Sequence, residues 1–463
     1  MMLNLTSTQR SAVLCLLFSS GIFILWGSFL TSGPYGMFDF KGVYYGARCL
    51  IDHSDPYQPN EFLSEYLAQG GKLPSNAFDL QSYRSGLFRC INLPSSLFLV
   101  APLAMLPWGL ASVLWMMLIA GSFTLAAFLM WNAAESYAPK LAPLLVCFVL
   151  ANTEILLELG NTAGIAVGLC IVAVWCFLEE RFVPAGILCL AVSLAMKPHD
   201  AGLVWLYFLL AGGAHRRRAL QTLLVVAALV LPSILWVSHV APQWAQELHA
   251  NLAASAAHGS LNDPGPASNH FRVPDMVISL QSAIAIFRDD PRIYNAATYL
   301  VCGALLLLGA VRTLRSRFSQ ANAWLALAAI AALSMLPVYH RLHDAKLLLL
   351  TVPACAMVWA GGGTLKWPAG LLTSAAIVVT GDLPSTFLVV AEKSVSGHVT
   401  GLAGRVLELA LLRPAAPILL ATGVFYLWVY LRRTASDRGL KGAGGLTEKA
   451  KRGTDRAASL ADA

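Results

Sequence analysis

The chain has 463 residues, 57% of them hydrophobic and only 12% charged, and its mean hydropathy is +0.64. That balance excludes an ordinary soluble protein of this length and leaves a polytopic membrane protein with no large soluble domain. The formal charge of +7 comes from 32 Lys and Arg against 25 Asp and Glu; the cations gather beside span ends, so they mark topology and give no reason to expect a nucleic-acid partner.

The first apolar stretch, Ser11–Leu30, is long enough to cross the ~30 Å hydrocarbon layer. Arg10 precedes it and Thr31-Ser32-Gly33-Pro34 after it is a poor cleavage site, so it is expected to stay as an anchor. Further apolar stretches are read as spans near Gly109–Trp131, Leu141–Leu157, Thr162–Leu178, Val183–Met196, Ala201–Gly213, Ala219–Ser238, Ala296–Val311, Ala323–Pro337, Ala345–Ala360, Trp367–Thr380 and Leu412–Leu431. Backbone satisfaction in lipid makes them helices, which predicts an all-α protein of about twelve transmembrane helices, within a range of about ten to thirteen. Pro94–Pro107 is short and proline-bounded, and suits a half-inserted or interfacial helix. Arg216-Arg217-Arg218, Arg312/Arg315/Arg317 and Arg432-Arg433 mark three turns as cytoplasmic, so both termini are expected inside. Residues 1–431 form the membrane domain in this reading, and 432–463 a disordered basic cytoplasmic tail.

Three segments on the external face are long enough to hold structure: about 31–93, 239–295 and 381–413. The first contains Phe38-Asp39-Phe40, Val43-Tyr44-Tyr45 and Asp55-Pro56-Tyr57, with amphipathic stretches at Val43–Leu50 and Glu61–Leu67 suited to the bilayer surface. Asp39, an ionisable group between aromatics just past a span, is a functional-site candidate; its plainer reading is an interfacial carboxylate in water. Of the nine cysteines, Cys49 and Cys90 both fall in this segment, where an oxidising face would permit a disulfide. The second segment holds a turn-rich patch, Asn262-Asp263-Pro264-Gly265-Pro266, followed by Asn269-His270-Phe271-Arg272.

The remaining polar signal lies in short turns: Glu158-Leu159-Gly160-Asn161, Lys197-Pro198-His199-Asp200, where proline breaks an apolar stretch, and Tyr339-His340-Arg341-Leu342-His343-Asp344 with Lys346 behind it. If the last is helical, His340, His343 and Asp344 share a face. Two histidines and a carboxylate could bind a metal, but zinc sites usually add a further ligand, so no metal ligand is assigned.

Asp39 with Val43-Tyr44-Tyr45 and Asp55-Pro56-Tyr57, then Asn92-Leu93-Pro94, Pro102-Leu103-Ala104-Met105-Leu106-Pro107, Leu159-Gly160-Asn161, Lys197-Pro198, Asn269 and Tyr339-His340-Arg341…Asp344, together resemble glycosyltransferase family 87. The likeness runs to about Leu431 and departs from the family pattern around Leu93 and just before Asn161, where a Gln is missing. It implies a GT-C fold and a mannosyltransferase that draws a hexose from a polyprenyl-phosphate sugar and passes it to a glycolipid or polysaccharide acceptor. It also implies a plasma (inner) membrane location with the active site on the external or periplasmic face. Asp39 matches the general base, and direct attack implies inversion. A lipid phosphate is a good leaving group, so one carboxylate suffices where glycoside hydrolysis uses two. Arg341, Lys346, Lys197 and Arg89 are then candidates to meet the leaving phosphate, although a single Lys or Arg at this depth often only snorkels. His340 would orient the base or the phosphate, and Asn161 and Asn269 suit sugar hydroxyls, with a helix cap as the plainer role of Asn161. Tyr44, Tyr45, Asp55, His343 and Asp344 complete the expected substrate-binding set. No cofactor is assigned, and a divalent cation is left open. The competing class is a secondary transporter or lipid flippase, which needs polar sites near the bilayer midplane; here the span centres are almost bare of charge.

Overall fold

The computed structural model describes residues 6–33, 35–260, 262–265, 277–383 and 401–433. Helices carry almost all of it; the β-structure among these residues is one isolated bridge, between Val277 and Arg341. Among the described residues, six helices are long and apolar enough to cross a membrane: Ser7–Leu30, Trp108–Glu135, Leu141–Glu158, Gly213–Val240, Pro291–Arg315 and Ala415–Arg433. Five shorter apolar helices accompany them: Pro94–Ala104, Ala163–Leu178, Val183–Met196, Gln320–Leu333 and Lys366–Val379.

The core is built around Ala163–Leu178, a helix buried on nearly every side and packed between Trp108–Glu135 and Val183–Met196. Small residues permit that closeness: a Cβ on Gly168 would stand 2.9 Å from the Ser122 backbone. Between apolar helices in lipid, such backbone approach is a main source of association.

Several expected boundaries shift for local reasons. The Leu141–Glu158 span, expected as one helix over 141–157, is interrupted by a turn after Leu150 and resumes at Ile155–Glu158, because Asp382 Oδ2 takes the Ile155 N–H (2.8 Å) that a continuous helix would use internally. The stretch expected as Ala345–Ala360 begins as a 3-10 helix, Asp344–Leu350, before the α-helix Thr351–Ala360. His340–His343 lie in an irregular turn, so His340, His343 and Asp344 are brought together by that turn and not by one helical face. Arg216-Arg217-Arg218 lie on the opening of Gly213–Val240 and not in a separate turn.

Helix ends sort into two sets. Gln9 bonds Glu135, Gln320 bonds Glu179, and Arg218 bonds both Glu180 and the Phe177 carbonyl, so these residues share one end of the bundle. Phe208 packs on Phe177 with ring centroids 5.1 Å apart, which brings Pro198–Ala211 back to that end; Lys197 is therefore the tip of a reversal at the opposite end.

The segment expected to be external at 31–93 folds into Phe38–Ile51, Pro59–Ala68, Ala77–Ser82 and a π-turn at Tyr83–Leu87. It is sewn to the helix Trp244–Ala256 of the 239–295 segment by Asn251, whose Nδ2 donates to the Tyr57 and Cys90 carbonyls (3.0 and 3.1 Å). Cys49 and Cys90 are buried free thiols, so the disulfide considered for them is not formed. Residues 384–400 of the third segment and the tail from 434 lie outside the described residues.

Candidate functional site

Asp39 sits in the first turn of Phe38–Ile51, and the way that helix starts explains its position. Met37 takes a left-handed conformation (φ 56°) as N-cap without a side-chain cap. The free N–H groups of the first turn are instead satisfied by the 158–159 turn: Met37 N donates to the Glu158 carbonyl (2.6 Å) and Asp39 N to that of Leu159 (2.9 Å). Gly160 follows at φ +62°, and a Cβ there would lie 2.8 Å from Phe40 Cβ; only glycine fits so tight a contact at that backbone angle. Phe40 is clamped from the far side, stacked on Trp115 and Trp108 with ring centroids 4.7 and 5.5 Å apart.

This docking delivers Asn161 to the carboxylate. Asn161 Nδ2 donates to Asp39 Oδ2 at 2.6 Å, while its Oδ1 accepts from Ala163 N at 2.8 Å. Asn161 is thus both the helix-start cap foreseen for it and a partner of Asp39. Burial pushes the Asp39 carboxyl above the usual aspartate range; the Asn161 amide and the charges of Arg341 and Lys197 pull it back, and Asp344 pushes it up again.

Lys197 projects from the reversal between Val183–Met196 and Pro198–Ala211, with Pro198 opening the second helix as expected. Ser95 and Ser96, at the start of Pro94–Ala104, hold the reversal by donating to the Ala195 and Met196 carbonyls (2.6 and 2.8 Å). The Lys197 ammonium bonds Asp344 and lies 3.6 Å from Asp200 Oδ2. Its flanking residues, His199 and Asp200, enter the same cluster, and the site inferred from sequence lacked both. Their signal was present in the polar tetrapeptide that interrupts the apolar run.

The third contributor is the turn at 339–344, fastened to the 239–295 segment by Ile278 N donating to the His340 carbonyl (3.0 Å). Arg341 N donates to Asp344 Oδ2 (2.9 Å), and the Arg341 side chain bonds the Tyr339 hydroxyl and Asn262 Oδ1 (3.1 Å). His340 Nε2 lies 3.6 Å from Asp200 Oδ1, His199 Nε2 3.7 Å from the same oxygen, and His343 Nε2 3.5 Å from Asp344 Oδ1. Burial opposes charge on Asp344, but Lys197 and then the neighbouring histidines hold it far below the ordinary carboxylate range. For Asp200 burial wins, helped by Asp344, and its carboxyl is pushed up to about 7. Burial likewise pushes His343 down to about 3 and His199 down to about 4, so both imidazoles are neutral at pH 7.

The other expected site residues divide. Lys346 stands apart from this cluster: buried behind the turn, its ammonium donates to the Asn152 and Thr380 carbonyls and to Asp382 (2.9, 3.0 and 3.1 Å). Tyr44 and Tyr45 pack around Trp108, with the Tyr44 hydroxyl donating to the Leu106 carbonyl (2.7 Å). Asp55 Oδ1 caps the turn by accepting from Tyr57 N (2.8 Å), and burial together with Glu247 raises its carboxyl to about 6. Arg89 is half-buried after the π-turn and forms no salt bridge to a described residue. Asn269 lies outside the described residues.

Residues 91–268 match the family model described as Glycosyltransferase family 87, which agrees with the resemblance read from the motifs and indicates a glycosyltransferase. The matched region contains Asn161, Lys197, His199 and Asp200; Asp39 precedes it and the turn at 339–344 follows it. No curated protein and no solved structure matches the chain.

Proposed function

We propose that this chain is a glycosyltransferase of family 87 that moves a hexose, mannose by resemblance, from a polyprenyl-phosphate sugar to an acceptor hydroxyl on a glycolipid or polysaccharide. Asp39 is the general base. The observation that carries the reading is Asp39 Oδ2 fixed by Asn161 at 2.6 Å, with the Arg341 and Lys197 charges directed at the same carboxylate.

In this reaction Asp39 Oδ1 takes the proton of the acceptor hydroxyl as the hydroxyl oxygen attacks the anomeric carbon. The bond from that carbon to the phosphate oxygen breaks, and its electron pair leaves with the phosphate. Attack opposite the leaving group inverts the anomeric centre. Asn161 keeps one oxygen occupied so that the other faces the acceptor, and an elevated carboxyl pKa makes the base stronger at working pH. Lys197 and Arg341 provide positive charge where the phosphate gains its negative charge, in surroundings of low dielectric. His340, His343 and Asp344 orient that cationic edge.

The membrane reading goes with it: a GT-C arrangement over residues 1–431 with about twelve crossings, both termini cytoplasmic, and the Asp39 end of the bundle on the external face of the plasma membrane. Incubation of purified protein with labelled polyprenyl-phosphate mannose and a membrane-lipid extract tests the reaction. Transfer that gives a product of inverted anomeric configuration is expected; a retained configuration would overturn direct displacement assisted by a single base.

A further inference from the structure

Asp200 and His340 pose a physical problem that their protein neighbours solve only in part, with Lys197 3.6 Å from Asp200 Oδ2. Asp200 is 1% exposed and neither of its carboxylate oxygens accepts a hydrogen bond; His340 is fully buried and its Nε2 has no hydrogen-bond partner. The His340 tautomer follows from its other nitrogen, because Nδ1 lies 3.2 Å from the Val338 carbonyl, which can only accept. Nδ1 therefore carries a proton, and in the neutral imidazole Nε2 is an acceptor, 3.6 Å from Asp200 Oδ1. Two acceptors facing each other in a buried site call for a proton or a metal cation between them, and 3.6 Å is longer than a proton-bridged hydrogen bond.

We propose that His199, Asp200, His340 and Asp344 bind a divalent transition-metal cation, with zinc the best match to their donors. One ligand atom from each of the four lies within 4.8 Å of all the others. A zinc ion with nitrogen and oxygen ligands at about 2.0–2.2 Å in a tetrahedron sets those ligands roughly 3.4 Å apart. The two imidazole-to-carboxylate edges, 3.6 and 3.7 Å, are too long for hydrogen bonds and near the length of such edges. The donor set, two imidazoles and two carboxylates, suits zinc or manganese better than magnesium or calcium.

Surrounding contacts take the form usual around ligands. The Nδ1–H of His340 bound to a backbone carbonyl is the common way a ligating histidine is oriented. Asp344 is anchored by Arg341 N and Lys197, and Lys197 lies nearer Oδ2 of Asp200, which leaves Oδ1 to the imidazoles. The His199 side chain is 41% exposed, so the ion has an access route from solvent.

Binding at these four residues stands independently of the transfer chemistry. The role assigned to the ion, neutralising the departing phosphate beside Lys197, rests on the proposed transfer reading.

The test is metal uptake. Chelator-stripped full-length protein is titrated in detergent with zinc, manganese or cobalt chloride, followed by calorimetry and elemental analysis, and by the visible ligand-field absorption of the cobalt form. A single equivalent per chain with a tetrahedral cobalt spectrum is expected. His199→Ala, at the exposed position, and Asp200→Asn should each lose the equivalent and the spectrum, whereas Asp39→Asn should keep both. Absence of uptake by the wild type, or uptake unchanged in His199→Ala and Asp200→Asn, would overturn the site. Uptake without sugar transfer would uphold the site and count against the transfer reading; transfer by a protein that binds no metal would do the reverse.

Discussion

Asn161 spends both halves of one amide, capping its own helix through Oδ1 and holding Asp39 through Nδ2. The second bond favours the ionised carboxylate, so removing it should raise the Asp39 pKa further. The proposed base works only when ionised, and its activity falls as pH drops through its pKa. In Asn161→Ala the acidic limb of the kcat/KM profile should therefore move to higher pH, with transfer at neutral pH reduced roughly 10-fold or more; an unmoved limb would separate Asn161 from the base. From sequence, Asn161 could be read as a cap or a sugar contact. Its bond to Asp39 spans 122 positions, and no local pattern carries that. Lys346 shows the opposite limit, because a cation one turn from the polar motif looked available for phosphate, yet its ammonium is fully engaged by two carbonyls and Asp382.

Elements whose cause is local were legible. Pro198 ends one helix and opens the next as its missing N–H and fixed φ require, and Val183–Met196 has the boundaries expected of it. Elements shaped by distant partners were not: the break before Ile155 depends on Asp382, and the segment at Asp344–Leu350 is a 3-10 helix behind the 339–344 turn. The Lys346–Asp382 pair pins these pieces together and is buried at both ends. Lys346→Met would strand the Asp382 carboxylate and should cost about 3–5 kcal/mol in unfolding experiments. The double change Lys346→Met with Asp382→Leu should recover part of that loss; a single variant as stable as wild type would contradict the role. At the other junction, Gly160→Ala imposes a Cβ on Phe40 at a left-handed position. It should cost about 1–3 kcal/mol and reduce transfer by displacing the turn that seats Asp39, which thermal unfolding and activity measured on the same preparation would show together.

At the scale of the whole molecule, composition was enough for an all-helical membrane protein, while which end faces the cytoplasm is an expectation drawn from the arginine clusters. The contacts among Gln9, Glu135, Glu179, Arg218 and Gln320 gather at the end opposite Asp39, Lys197 and the His340 turn. The number of crossings was less legible, since among the described residues six helices have full spanning length and five apolar ones are shorter; span length alone does not say how short helices share the bilayer. If the arginine-rich end is cytoplasmic, a cysteine placed at Arg217 should react with an impermeant thiol reagent only after the membrane is opened, and one at Lys72 before it. The reverse pattern would invert the protein. The central claim, that Asp39 is the base of a sugar transfer, is tested most directly by single-turnover transfer from labelled polyprenyl-phosphate mannose, comparing wild type with Asp39→Asn at matched folding and donor binding. A loss of about 10²–10⁴-fold in the chemical step with donor binding retained is the predicted result; transfer by Asp39→Asn at the wild-type rate would contradict it.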